Sequence, residues 1–532
     1  MASTMNKVLL NITQGYIDQS DPTNPPPPDV AEEEVLERVA AQLGALNGMR
    51  ANGNKLRIPQ YLNPPQIALL MSAFHPICLI HTGSEEDNVD KDLLAIYQYD
   101  GINEGVYVST EAVFRQLARQ YNFSISTHDF EEVLKSLRDF VPRKERCDKP
   151  NYIAVNNGIF DYDTKQLIPF SPDIVFLSKS RVNYNPNAQN IIIHNDEDNT
   201  DWDVESWMTE ISDDPEVVNL LWEIIGAAIR PLVRWKKAAF FYAESGNNGK
   251  GTLCELIRNI CGRTNCISLS LSNMEGEFRL EGLLHASCIV TDENDVGLVI
   301  KKAGIFKTLV SNDVVPINRK FKTVVSYRYY GFMIQCFNEM PQMNDKSDSV
   351  YRRQLFIPFT KCFTGAERSY IKDDYLNRQE VLEYVLYRVL NMSYYKLSEP
   401  ASCTMMLNEV KEANDPIRAF WTEFRGRFSW DLVPYDFLYE LYLSWSGDTT
   451  KYSSKPYRNN FIKKLKIIIG HNDPDWDVNK NAITTGSLMD KKEPLISEFA
   501  LEHQKQYCDY TKEGYIPNRN KVAPSYRGIR RK

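Results

Sequence analysis

At 532 residues the chain is long enough for three or four domains of ordinary size. With 43% hydrophobic and 25% charged residues it has the composition of a folded globular protein, which excludes wholesale disorder. A net charge of −8 excludes a uniformly basic nucleic-acid coat but leaves room for local basic surfaces. The ten cysteines are scattered, without a CxxC pair or a Cys/His cluster at zinc spacing, which predicts free thiols in a reducing compartment. No apolar run reaches the ~18 residues of a membrane span and the first residues lack the layout of a signal peptide, so the expected location is cytoplasmic.

Residues 1–69 read as an arm. A polar start and the prolines at 25–28 predict an extended linker, and a helix follows over 30–46 with Val35, Leu36, Val39, Leu43 and Leu46 on one face. A partner-binding arm and a solubilising tail fit this part equally. Residues 70–235 read as one α+β module. A hairpin is predicted around 93–109, helices over 111–120 and 130–140, and two short strands around Asp163 and Thr164 with Asn156, Asn157 and Gly158 as a turn. Asp214-Pro215 then opens a helix through Val217, Leu220, Leu221, Ile224 and Ile225 that ends near Arg230-Pro231.

Residues 238–262 are the stretch around which the rest is organised. An apolar strand over 238–242 leads into SGNNGKG, and Leu253, Leu256, Ile257 and Ile260 then recur at helical spacing up to Gly262. Backbone amides of such a loop, with the unpaired amides that open a helix, form a pocket for phosphate oxygens. Gly246, Asn247, Asn248, Gly249, Lys250, Gly251 and Thr252 are therefore the candidate phosphate-binding residues, with Lys250 reaching the β and γ phosphates from an exposed loop. The usual hydroxyl after the lysine is replaced by Gly251 and comes one position late, on Thr252, and Glu244 stands where a first loop glycine is usual. A glycine turn that binds nothing is the competing reading.

Next, HASCIVTDEND predicts a strand over 287–291 with Asp292 and Glu293 at its carboxyl end. On a strand neighbouring the loop strand, one acid can serve Mg²⁺ and the other the attacking water; alone, such a pair is a solvated turn. A strand over 331–337 delivers Asn338 to the same sheet edge, where its amide can contact the γ-phosphate. Arg352 and Arg353 precede a strand over 354–359, a position from which an arginine can face the ATP of an adjacent subunit. A turn and a solvated strand entrance are the plain alternatives.

Residues 364–414 read as a helical connector. Three helices over 415–475 suggest a small winged-helix-like domain whose third helix would meet DNA. Lys451, Lys455, Arg458, Lys463, Lys464 and Lys466 fall between 451 and 470 without one acid, interleaved with Tyr452, Tyr457 and Phe461, which marks either a nucleic-acid footprint or a solvated helix face. Residues 476–532 read as a flexible basic tail ending in Arg527, Arg530, Arg531 and Lys532.

GNNGKGT, IVTDEN, FKTLVSNDVVPINRKFK and FNEMPQMNDKSDSVYRRQLFIPF, in this order, resemble the motifs of superfamily 3 helicases, an AAA+ group of viral, phage and plasmid replication proteins. The likeness is to the C-terminal half of phage and plasmid primase-helicases related to those of poxviruses. VNNGIFDYDTKQLIPFSP through WEIIGAAIR is similar to the domain that precedes the ATPase in that group, so the resemblance covers roughly residues 90–360. It implies that Lys250 and Thr252 bind phosphate and Mg²⁺, that Asp292 and Glu293 serve metal and water, that Asn338 is a sensor, and that Arg353 is the better finger. It also implies a hairpin carrying Arg319, Lys320 and Lys322 that grips single-stranded DNA in the pore of a hexamer. Outside the resemblance, the basic run predicts further DNA contacts from Lys455, Arg458, Lys463 and Lys466 of the C-terminal domain.

The expected protein is thus a multidomain α/β chain. An AAA+ P-loop ATPase core at 236–363 stands between an α+β N-terminal module and a C-terminal winged-helix-like domain. It would be an ATP- and Mg²⁺-dependent replicative DNA helicase of a phage, plasmid or mobile genetic element, working as a homo-oligomeric ring on single-stranded and forked DNA in a bacterial cytoplasm. The ~90 residues ahead of the resemblance are short for a priming domain, so a separate primase or initiator is an expected partner. An ATP-regulated DNA-binding initiator or loader, and less readily a P-loop small-molecule kinase, are the rival readings. Unwinding of forked DNA and DNA-stimulated ATP turnover separate them.

Overall fold

The computed structural model describes residues 2–22, 24–50, 55–83, 89–295, 299–300, 302–319, 322–365, 368–448, 456–470, 473–478, 481–501, 508–511, 514–517 and 523–532. The chain divides into two compact units, Met1–Thr404 and Met405–Lys532.

In the first unit, α1 (Ala2–Ile17), α2 (Pro28–Gly48) and α3 (Pro64–Phe74) precede β1 (Ile77–His81), β2 (Leu93–Tyr97), β3 (Tyr107–Val108), α4 (Glu111–Tyr121), α5 (Thr127–Phe140) and β4 (Arg143–Glu145). The strands form one sheet in the order β3-β2-β1-β4, with β1 antiparallel to β2 and parallel to β4. The proline run ends where α2 begins, because Pro28 at the first helical position has no amide to lose and a preset φ. Asn63 and Gln66 close a capping box on α3. The helices α1 and α2, in a stretch expected as an arm, belong instead to this core. Leu9, Ile12 and Tyr16 of α1 and Val35, Val39 and Leu43 of α2 are buried with Ile67, Leu79, Phe114 and Val133. Their stripes recur every three to four residues, which is the pattern of helices that cover a sheet.

A meander follows, with β5 (Tyr152–Val155), β6 (Gly158–Asp161) and β7 (Gln166–Ile168) antiparallel in sequence order. It has three strands where two were expected, because a second reversal, with Lys165 at φ 58, follows the one at Asn156 and Asn157. The hairpin β8 (Ile193–Asn195) and β9 (Thr200–Trp202) leads to α6 (Val204–Ile211), capped by Asp203, and α7 (Pro215–Ile229), capped by Asp214. Every residue of α7 from Leu220 to Ile229 is buried, so this helix is interior rather than amphipathic.

Then come β10 (Ala238–Tyr242), α8 (Lys250–Cys261), β11 (Cys266–Ile267), β12 (Cys288–Thr291), β13 (Val299–Ile300), α9 (Gly304–Val310), β14 (Val314–Arg319), β15 (Lys322–Arg328), β16 (Phe332–Phe337), β17 (Gln342–Met343), α10 (Asp348–Tyr351) and β18 (Gln354–Pro358). Five strands make a wholly parallel sheet in the order β11-β12-β16-β10-β18. β10 and β16 are buried along their whole length, as continuous apolar runs covered on both faces must be. The meander, α6 and α7 share this sheet's core with α11 (Ser369–Asp373) and α12 (Gln379–Leu390). No helix among the described residues is long and apolar enough to cross a membrane.

The helix α13 (Ala401–Asn414) carries the chain into the second unit. There α14 (Pro416–Phe424), β19 (Leu432–Pro434), α15 (Tyr435–Asp448), α16 (Arg458–Ile469), β20 (Trp476–Val478), β21 (Ile483–Thr484), α17 (Leu495–Glu498), β22 (Cys508–Thr511), β23 (Gly514–Pro517), β24 (Ser525–Tyr526) and β25 (Gly528–Arg531) follow in order. β25 is the central strand of an antiparallel sheet β19-β25-β20, and Ile529 is fully buried with Phe420, Phe461 and Trp476. The end of the chain, expected as part of a flexible basic tail, is therefore a core element. Arg531 folds in because it pairs with Asp431 at 3.0 Å and lies 4.6 Å from the Trp476 ring.

Candidate active site

Because the five strands are parallel, the loops after β10, β12 and β16 emerge at one sheet edge, where open α/β sheets bind ligands. The phosphate loop follows β10, Asp292 and Glu293 follow β12, and Asn338 follows β16. β16 lies between the other two, so the acids are not on the immediate neighbour of the loop strand; Asn338 stands between them and the loop.

Gly249 caps α8 at φ 86, a left-handed geometry that favours glycine over a residue with a Cβ. The buried Asn248 accepts from the Lys250 amide at 3.3 Å and donates to the Ser245 carbonyl, which fixes the loop from within. Lys250 is the first residue of α8 and is only 6% exposed, not displayed in an open loop as the sequence suggests. Burial lowers its pKa, and its Nζ donates to Asn338 Oδ1 at 2.9 Å. Gly251 has open space where a Cβ would stand, so packing does not explain the missing hydroxyl there. Thr252 lines a cleft beside the loop.

Asp292 is 41% exposed and accepts from Arg258 Nη1 at 2.8 Å, and Arg258 Nη2 also donates to the Val290 carbonyl at 3.2 Å. Arg258 is a site residue that the sequence motifs do not mark. Its signal is spacing, since Lys250, Cys254 and Arg258 at i, i+4 and i+8 share one helix face. Glu293 is exposed. Asn294 donates to Gln335 Oε1 at 3.0 Å and to the Cys336 carbonyl at 3.1 Å, which ties the acidic loop to β16.

The cleft beside the loop is lined by Trp207, Asn247, Thr252, Phe363, Arg368 and Ile371, among others. The Phe363 amide donates to the Asn247 carbonyl at 2.7 Å, while Lys361 pairs with Asp213 at 2.7 Å and Arg368 with Glu210 at 2.8 Å. The chain after β18 is thus pinned to α6 across the phosphate loop. These covering residues carry no sequence motif, and nothing in the sequence singles them out.

Arg352 and Arg353 lie at the amino end of β18, the sheet edge opposite the phosphate loop, where the Ala238 amide donates to the Arg353 carbonyl at 2.7 Å. Arg353 Nε and Nη2 donate to Ser311 Oγ at 3.0 and 2.8 Å, and Nη1 to the Ser349 carbonyl. The structure therefore brings Lys250 and Asn338 together and keeps Arg353 apart from both.

Among the residues expected to meet DNA, Arg319 ends β14 and sits opposite Lys322 at the start of β15. Arg319 is half-buried and shares a cleft with Asp90, Glu111 and Arg138. The base of this hairpin is held on the N-terminal sheet, with the Arg328 amide donating to the Thr82 carbonyl at 2.9 Å and Thr82 Oγ1 to the Ser326 carbonyl at 2.6 Å. Lys320 and Lys455 lie outside the described residues. On α16, Arg458 pairs with Asp436 at 2.5 Å and Lys466 Nζ lies 4.8 Å from the Tyr435 ring, whereas Lys463 and Lys464 are exposed.

Three family profiles match in the order of these parts. A "D5 N terminal like" profile matches residues 85–213, a "Family of unknown function (DUF5906)" residues 241–353, and a "Poxvirus D5 protein-like" profile residues 412–500. The chain thus carries a D5 N-terminal-like segment and a poxvirus D5-like segment on either side of the DUF5906 match. The middle match runs from the end of β10 to Arg353 and so spans the phosphate loop, the acids and Asn338 of this chain. Solved apo structures of the NrS-1 C-terminal region are similar to it. One is 14% identical over 80% of this chain and 87% of that one, with a TM-score of 0.40. Another is 13% identical over 80% of this chain and 98% of that one, with a TM-score of 0.44. No curated protein matches the chain in sequence.

Proposed function

We propose that the protein is an ATP-dependent DNA helicase of a phage, plasmid or other mobile element, acting as a ring of identical subunits on single-stranded DNA. The observation that carries this reading is the placement of Asn338 at 2.9 Å from Lys250, just after the strand inserted between the phosphate loop and the acids. Lys250 and the loop amides bind the phosphates, and the cleft at Trp207 and Phe363 receives the rest of the nucleotide. The Thr252 hydroxyl and the Asp292 carboxylate are hard oxygen donors of the kind that suits Mg²⁺, which would neutralise phosphate charge. Glu293, exposed beside them, orients the attacking water and takes its proton. Arg353, at the far sheet edge, serves a neighbour's site rather than its own, and this supports assembly of a ring.

In the second unit, the order helix, strand, two helices, strand and a returning central strand supports a winged-helix domain that presents α16 to DNA. Purified protein should show ATP turnover stimulated by single-stranded DNA and should unwind a forked duplex. Stimulated turnover without unwinding would leave a loader, and turnover indifferent to DNA would favour a small-molecule kinase.

A further inference from the structure

Two thiols lie directly beneath the Lys250–Asn338 contact. Cys254 is one turn after Lys250 on α8, Cys336 is two residues before Asn338 on β16, and their sulfurs are 3.5 Å apart. Both are almost fully buried, at 0% and 1% exposure. An Asp292 carboxylate oxygen completes the group, and the three ligand atoms lie within 4.8 Å of one another; no other such group occurs among the described residues.

We propose that Cys254, Cys336 and Asp292 bind a thiophilic divalent cation of the Zn²⁺ class, and that filling this site withdraws Asp292 from Mg²⁺ and stops hydrolysis. Zn–S bonds of about 2.3 Å at tetrahedral angles set sulfur atoms about 3.8 Å apart, so the two thiols stand near the spacing such an ion needs. Mg²⁺ is a poor occupant of this position, because it takes oxygen ligands and dehydrates reluctantly. Asp292 is the one partly exposed member and so forms the entrance, with water as the fourth ligand. Binding exchanges two thiol protons, released to solvent, for two metal–thiolate bonds and involves no change of oxidation state. It also takes the Asp292 oxygen from Arg258, now 2.8 Å away. The inhibition rests on the reading of Asp292 as the Mg²⁺ ligand; the binding does not.

The test uses the full chain, kept reduced by a phosphine, with Co²⁺ as a spectroscopic probe and Zn²⁺ as competitor. One Co²⁺ per chain should give a thiolate charge-transfer band that Zn²⁺ abolishes. The band should be lost in both Cys254→Ser and Cys336→Ser and kept in Cys288→Ser. No band in the wild-type protein, or a band lost in Cys288→Ser but kept in the other two, would overturn the site. In parallel, one equivalent of Zn²⁺ over background should suppress Mg²⁺-dependent ATP turnover at least tenfold and a chelator should restore it. The ratio of turnover with and without Zn²⁺ should return to about one in Cys336→Ser. A band without any ATP turnover would retain the metal site and sink the ATPase reading instead, whereas a band with turnover indifferent to Zn²⁺ would overturn the inhibitory role.

Discussion

Lys250 and Asn338 are joined by a 2.9 Å hydrogen bond between the first residue of α8 and the loop that follows β16. The cation proposed to bind phosphate is thus held by the same amide proposed to read the γ-phosphate. Asn338→Ala should free Lys250 without removing its charge, leaving ATP affinity within a few-fold while turnover falls by about 10²–10³. Nucleotide titration beside steady-state turnover checks this; a loss confined to affinity would assign Asn338 to binding alone.

Lys250→Ala should abolish hydrolysis, and because Lys250 is buried it also removes packing at the start of α8. Lys250→Met, which keeps the apolar stem, should be equally inactive but melt closer to wild type. Wild-type turnover in either variant would refute the phosphate-loop assignment.

Mixing Arg353→Ala subunits into wild-type rings should reduce activity more steeply than the mutant fraction. Ser311, which holds Arg353 at 2.8 Å, caps α9 just before β14, so Ser311→Ala should mainly lower the stimulation of turnover by DNA. A linear fall with mutant fraction would argue against service in trans.

Gly251 has room for a side chain in the first turn of α8. Gly251→Ala should stabilise the protein by roughly 0.5–1 kcal/mol through reduced chain entropy. If Thr252 supplies the Mg²⁺ hydroxyl, Thr252→Ala should raise the Mg²⁺ concentration needed for turnover and Gly251→Ser should partly restore it. Mg²⁺ titrations of the single and double variants decide which hydroxyl serves.

The exposed Lys463 and Lys464 should carry most of the phosphate binding of α16, since Arg458 is engaged by Asp436. Changing both to Gln should weaken duplex binding and flatten its salt dependence by about one unit of log–log slope for each phosphate no longer neutralised, with basal turnover unchanged. Neutralising Lys320 and Lys322 should instead remove unwinding and DNA stimulation together. Identical defects in the two variants would show that the two basic sets do not divide their work.

His75, which caps α3, is half-buried, and desolvation pushes its pKa down to about 4 from an ordinary 6.5, with Tyr121 Oη at 3.1 Å. The unfolded chain therefore binds more protons between these values, and the stability of the N-terminal module should fall as pH drops from 6.5 towards 4, by roughly 3 kcal/mol at about 1.36 per unit. Hydrogen exchange of residues 64–141 against pH reads this, and His75→Phe should move the acid transition downward. A transition unmoved by that change would place the acid sensitivity elsewhere.

The sequence by itself determined what depends on neighbouring residues: the apolar runs of β10 and β16, the loop SGNNGKG, the cap Asp214, and the acids and amide that end their strands. Those signals are local, since a strand's period, a glycine's left-handed turn and a cap need only a few adjacent positions. Only the tertiary structure decided that β16 separates the loop from the acids, that Arg258 meets Asp292, and that Lys250 is buried. It also turned the first helices into part of a core, through Leu9 and Val35, and the last residues into a central strand, through Ile529. Each of these is a meeting of segments tens to hundreds of residues apart, fixed by which apolar faces must leave water together, and periodicity within one segment does not name the partner face.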